Sequence, residues 1–137
     1  MSSTPASGYR FNRVMLIDDN DIDNLINSRI MTAHNFAAVV DLKTSTESAL
    51  DALRSMNADS ENLPSIIFLD LQMPVLDGFA FLDEFDKMSD ALKNNCKVVV
   101  LSSSISPDDI NRASTNKYVI KYINKPLSEM YLEAIEG

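Results

Sequence analysis

The chain has 137 residues, enough for one domain with its own core, and its 45% hydrophobic content belongs to a folded protein rather than a disordered one. The 20 acidic and 12 basic side chains leave a formal charge of −8, which argues against sequence-independent nucleic-acid binding and against polybasic contact with a membrane. One cysteine, Cys96, allows no internal disulfide, and the absence of any CxxC or Cys/His cluster argues against structural zinc. The one histidine, His34, falls at the end of a helix-like run and reads as a helix-end residue. No apolar stretch is long enough for a signal peptide or a membrane span, so the expected location is the cytoplasm.

Residues 1–12, MSSTPASGYRFN, are rich in Ser, Thr, Pro and Gly and read as a flexible tail, leaving 13–137 as the folded unit. Val14, Met15, Leu16 and Ile17 form a run too short for a helix; it reads as a buried strand ending at Asp18 and Asp19. Over residues 21–34 the apolar positions Ile22, Leu25, Ile26, Ile30 and Met31 have helical spacing. Residues 37–42 give a second strand. Thr46 is placed to cap a helix running to about Met56, with Ala49, Leu50 and Leu53 inward.

A polar loop over 57–64 leads to a third strand, 65–70, that ends in Asp70. Asp77 or Gly78 opens a helix with Phe79, Leu82 and Phe85 inward, and Met88 as a further candidate. Residues 97–102 form a fourth strand, preceded by Cys96 as a small, partly buried filler. Pro107 suits the first turn of a short helix over 108–115 that follows Ser106. Residues 118–123 form a fifth strand. The last helix spans 127–135, with Leu127, Tyr131 or Met130, Leu132 and Ile135 available to pack.

Five strands alternating with five helices, with near-continuous apolar strands, predict an α/β fold: a parallel sheet covered on both faces, doubly wound through right-handed crossovers. Sites in such sheets form beyond the carboxyl ends of the strands. There the sequence places Asp18 and Asp19, Asp70, Ser102 and Lys125. Taken singly, each has a plain reading as a cap, turn or surface residue; taken together they make a chemistry. Adjacent carboxylates repel unless a cation neutralises them, and all-oxygen ligands suit Mg²⁺. A carboxylate is also a nucleophile toward a phosphoryl group, whose transfer needs positioning and charge neutralisation above all.

These residues resemble the receiver domain of two-component response regulators. The matching pieces are the acidic pair of LIDDND, Asp70 in FLDLQMPVLDG, the hydroxyl of VVVLSSS and the lysine-proline of YINKP. The resemblance spans residues 13–137 and implies a (βα)5 sandwich with the flavodoxin-like strand order 2-1-3-4-5. It implies Asp70 as phospho-acceptor, and a Mg²⁺ site made by Asp18, Asp19, Asp70 and the backbone carbonyl of Gln72. It implies that Lys125 and Ser102 bind the phosphoryl group, and that Tyr122 changes rotamer in response. The face of the fourth helix, fifth strand and fifth helix would carry the change. The implied donor is a sensor histidine kinase or histidine phosphotransfer protein, selected by the first helix around residues 22–30. The output is contact with a downstream protein, or relay.

With the chain stopping after the last helix, the expectation is a stand-alone receiver, monomeric by default and not an enzyme. The sequence departs from the family pattern at Ser103, often alanine, and at Asn116 and Lys117, where a Gly-Ala step is usual. The stretch over 54–64 is also longer than usual. Two other readings compete. A dehalogenase-type phosphatase would need a second aspartate two residues after the nucleophile, where Gln72 stands. A pseudo-receiver would lack an acid or the lysine, and none is missing.

Overall fold

The computed structural model describes residues 8–56 and 62–135. Strands β1 (Phe11–Ile17), β2 (Ala37–Lys43), β3 (Ile66–Leu69), β4 (Lys97–Ser102) and β5 (Val119–Asn124) build one sheet. Among the described residues six helices alternate with them: α1 (Asp21–Ala33), α2 (Thr46–Ser55), α3 (Gly78–Asp86), α4 (Asp90–Asn95), α5 (Pro107–Ser114) and α6 (Glu129–Glu133). The strand order is β2-β1-β3-β4-β5 and every pairing is parallel, which is the doubly wound arrangement that the alternation predicts.

Alternate residues of each buried strand feed the two faces, as the two-residue period of a strand requires. Met15, Ile17, Ile67, Leu69, Val98 and Val100 join one layer with Leu50, Leu53, Phe81, Phe85 and Leu92. Val14, Leu16, Ile66, Phe68, Val99 and Leu101 join the other with Met31, Phe36, Leu127 and Leu132. No helix among the described residues is long and apolar enough to cross a membrane.

Four details depart from the sequence reading. First, residues 10–12, expected to be tail, belong to the fold. The Arg10 guanidinium donates to the carbonyls of Leu132 and Ile135 at the end of α6 and lies 5.3 Å from the ring centres of Phe11 and Phe36. Phe11 is buried against Phe36. An arginine meeting the open carbonyls of a helix end is a favourable use of its donors. The rest of the expected tail, residues 1–7, lies outside the described residues, as do residues 57–61 of the polar loop.

Second, α4 was missed: its single turn and a half has one buried apolar residue, Leu92, too little for a periodicity. Third, α2 is capped by Ser45, whose hydroxyl accepts from the Ser48 amide; Thr46 is buried and donates to the Leu76 carbonyl at 2.9 Å instead. Fourth, α1 turns Ile22, Leu25 and Ile26 outward and buries Asn24, Asn27 and Met31. Cys96 is fully packed, and burial pushes its thiol pKa up to about 12.

The loop between β3 and α3 is shaped by two residues. A Cβ on Gly78 would lie 2.7 Å from the Asp70 carbonyl oxygen and 2.8 Å from Leu71 Cα. The Gly78 amide donates to the Leu71 carbonyl, so the helix start presses directly on the chain that carries Asp70. Val75, by contrast, is almost wholly exposed and holds φ at 68°, a left-handed conformation that crowds its branched Cβ. Gly78→Ala should therefore cost about 1–3 kcal/mol, because the obstacle is backbone. Val75→Gly should add about 1 kcal/mol by removing strain without losing packing. Chemical denaturation of the two variants tests both signs.

Candidate functional site

The parallel register brings the strand ends level. Ile17 pairs with Leu69, Leu69 with Val100 and Ser102 with Asn124. One residue beyond, the Asp70 amide donates to the Ile17 carbonyl and the Lys125 amide to the Ser102 carbonyl. The strands thus deliver Asp18, Asp19, Asp70, Ser102 and Lys125 to one edge. The Lys125–Pro126 peptide bond there is cis.

Asp18, Asp19 and Asp70 each offer a carboxylate oxygen within 4.8 Å of the others. Asp18 and Asp70 are buried and Asp19 is exposed. The Lys125 ammonium lies among them, 2.6 Å from Asp18 Oδ2 and 3.3 Å from Asp70 Oδ2. Its third bond, at 3.0 Å, goes to Asp23 Oδ2. The remaining carboxylate oxygens meet backbone amides: Asn20 donates to Asp18 Oδ1 and Gln72 to Asp70 Oδ1.

Burial raises the pKa of the Asp70 carboxyl above its ordinary value. The Gln72 amide and the Lys125 charge oppose that rise, and the charge of Asp18 adds to it. Lys125 is raised as well: burial works against its charge, but hydrogen bonds to Asp18 and Asp23 and the charges of Asp70 and Asp18 outweigh it.

Ser102 is buried at the end of β4, and its hydroxyl oxygen accepts from the Ser104 amide. Ser104 is the hub of this loop. Its carbonyl accepts from the Tyr122 hydroxyl at 2.9 Å and from Asn124 Nδ2 at 3.0 Å. Its hydroxyl donates to Asp109 Oδ2 and accepts from the Ser106 amide. Gln72, exposed beside Asp70, meets the Ser103 hydroxyl at 3.4 Å.

Asp18, Asp19, Asp70, Gln72, Ser102 and Lys125 thus share one edge or the loop beside it, and Tyr122, inside β5, reaches that loop through the Ser104 carbonyl. Four contributors were not foreseen in these roles. Asp23 looks in sequence like any acid in the first turn of a helix; only the phase of α1 shows that it, and not Asp21, reaches Lys125. Asn24, buried in the same turn, donates to the Asp18 carbonyl at 2.9 Å and to that of Lys43 at 3.3 Å, tying α1 to two strand ends. Asn124 and Asp109 act through Ser104, and no spacing rule points to them.

Residues 14–135 match the response regulator receiver domain family, and the chain belongs to it. The chain is 34% identical over 115 residues to a probable methanogenesis regulatory protein, FilR2, of Methanothrix harundinacea, across 84% of this chain and 72% of that one. The crystal structure of a two-component response regulator from Cytophaga hutchinsonii aligns with a TM-score of 0.82 at 34% identity, covering 89% of this chain and 91% of that one. A receiver protein from Dyadobacter fermentans aligns at 0.79 and 28% identity, covering 88% and 91%. The protein is therefore a receiver domain of two-component signalling, with the phosphorylation-dependent role of that family. Receivers bind Mg²⁺ at an acidic pocket, and Asp18, Asp19 and Asp70 form a cluster with the geometry to hold a metal ion. They work with histidine kinases or phosphotransfer proteins and with downstream targets.

Because the folded state raises the pKa of Asp70, its ionised form costs stability. That cost is present above the raised pKa and vanishes below the ordinary carboxylate value. Without Mg²⁺ at neutral pH, Asp70→Asn should melt a few degrees above the wild type. The gap should close as pH falls through the raised pKa. Calorimetry across a pH series measures it.

Proposed function

We propose that this receiver takes a phosphoryl group on Asp70 from a phosphohistidine of a sensor histidine kinase or histidine phosphotransfer protein. The signal then passes on by contact with a downstream protein or by further transfer. An Asp70 carboxylate oxygen attacks phosphorus, the donor's nitrogen–phosphorus bond breaks, and the histidine nitrogen keeps the electron pair. The observation that carries this reading is the buried Asp70 carboxylate, held by Lys125 at 3.3 Å within an acidic cluster.

The donor set, three carboxylates within 4.8 Å of one another and no soft ligand, fits a hard divalent cation. Asp18, Asp19, Asp70 and the Gln72 backbone carbonyl would hold Mg²⁺, which when bound neutralises charge on the phosphoryl oxygens. Lys125 exchanges its bond to the Asp70 carboxylate for one to a phosphoryl oxygen. Ser102 donates its hydroxyl to another. Movement of Ser102 disturbs the Ser104 amide it accepts from, and Ser104 also receives Tyr122 and Asn124. This is a short bonded route from Ser102 to the face of α5, β5 and α6, with Tyr122 as its reporter.

The exposed Ile22, Leu25 and Ile26 of α1 lie beside the site and give a phosphodonor partner an apolar contact. The folded unit of this reading begins at Arg10 and is monomeric and cytoplasmic, and its formal charge of −8 argues against nucleic-acid or membrane contact. It is a switch and not an enzyme: Gln72 stands where a dehalogenase-type phosphatase keeps its general acid, and a glutamine donates no such proton.

Intact mass after incubation with acetyl phosphate tests the reading. One Mg²⁺-dependent phosphoryl adduct is expected on the wild type and none on Asp70→Asn. An adduct that persists in the variant, or its absence from folded wild type even with a cognate phosphodonor protein, would overturn it.

A further inference from the structure

Lys125 has three ammonium protons, and three carboxylates take them. Two of those acids, Asp18 and Asp70, belong to the phosphorylation site. The third, Asp23 at 3.0 Å, belongs to α1. We propose that Asp23 is a positioning residue that restrains Lys125 and so acts as a brake on phosphoryl uptake, an inference that rests on the function proposed above.

Charge balance carries the argument. Asp18, Asp19 and Asp70 are matched in charge by one ammonium and one divalent cation. Asp23 adds a fourth carboxylate and leaves the site net negative before any phosphoryl group arrives. A phosphodonor is itself an anion, so that surplus opposes its approach.

Geometry works in the same direction. Nζ lies 2.6 Å from Asp18 Oδ2, 3.0 Å from Asp23 Oδ2 and 3.3 Å from Asp70 Oδ2, so the acceptor shares its ammonium with a carboxylate of α1. The contact is not a freely waving surface pair. The Lys125 side chain is 18% exposed and that of Asp23 39%, and the Asp23 backbone amide donates a hydrogen bond to Asn20 Oδ1. Partial burial reduces the screening that makes exposed pairs weak. Asp23 also sits between outward Ile22 and buried Asn24, so the helix that would meet a partner holds the lysine that would meet the phosphoryl group.

Phosphorylation by acetyl phosphate with saturating Mg²⁺ tests this. Asp23→Asn should speed uptake on the order of three- to ten-fold, the range of coupling between contacting charged groups. Asp23→Glu, which keeps the charge, should stay near wild type. Asp21→Asn removes the same charge from the same helical turn without touching Lys125 and should have little effect. In a Lys125→Ala background the Asp23→Asn gain should shrink to the part that comes from net charge alone. The proposal is overturned if Asp23→Asn matches Asp21→Asn, if it slows uptake, or if its gain survives undiminished without Lys125.

A second measurement is independent of phosphorylation. The Lys125 side-chain ¹⁵N ammonium resonance should be observable through slow proton exchange in wild type and Asp21→Asn, and its exchange should be faster in Asp23→Asn, where only Asp18 and Asp70 still hold it. Unchanged exchange in Asp23→Asn removes the tether. A wild type that takes up no phosphoryl group counts against the function proposed above, and the ammonium resonance then decides the Asp23 contact alone.

Discussion

One ammonium holds the carboxyl edge of this sheet together. Asp18 and Asp70 are buried carboxylates a few ångströms apart, an arrangement that is costly without a counter-charge. Lys125 supplies that charge from the end of β5, more than a hundred residues from Asp18 in sequence. The remaining burial cost is still visible in the raised pKa of Asp70. A site with unneutralised charge is poised to accept a cation, and that property suits a signalling site better than it serves stability.

The fold exists around this constraint. Two apolar layers bury both faces of the parallel strands, so register is strongly specified and the strand ends cannot slip relative to one another. Gly78 lets α3 start against the backbone at Asp70, and Asn24 clamps α1 to the ends of β1 and β2. Both act on the backbone, which keeps the carboxylates in place when their charges change. α1 pays the cost in ordinary terms of helix design, burying two asparagines and exposing Ile22, Leu25 and Ile26.

In the proposed switch, the loop after β4 links the edge to a surface. Ser104 accepts bonds from Tyr122, Asn124 and Ser106, and donates to Ser102 and Asp109. It is buried, so its polar atoms need partners, and a shift that breaks one bond requires another arrangement of the rest. Such a node has few satisfied states, which is the physical basis of a discrete switch.

Strand positions, the alternation of elements and the acids, serine and lysine at the strand ends were legible from the residues alone. Buried parallel strands leave continuous apolar runs, and the residues that follow them are set by where those runs stop. β4, ending at Ser102, shows this most directly. Cap placement at α2, the short α4 and the start of β1 were not legible, because a single hydroxyl, one buried leucine and one arginine reaching α6 leave no period in the sequence. The sequence by itself determined which chemical groups reach the edge. Which face of α1 points inward, and hence that Asp23 shares Lys125 with Asp18 and Asp70, was decided only by tertiary packing. Helix phase is set by what the helix packs against, and here two asparagines bound to strand-end carbonyls or buried beside them outweigh the apolar stripe.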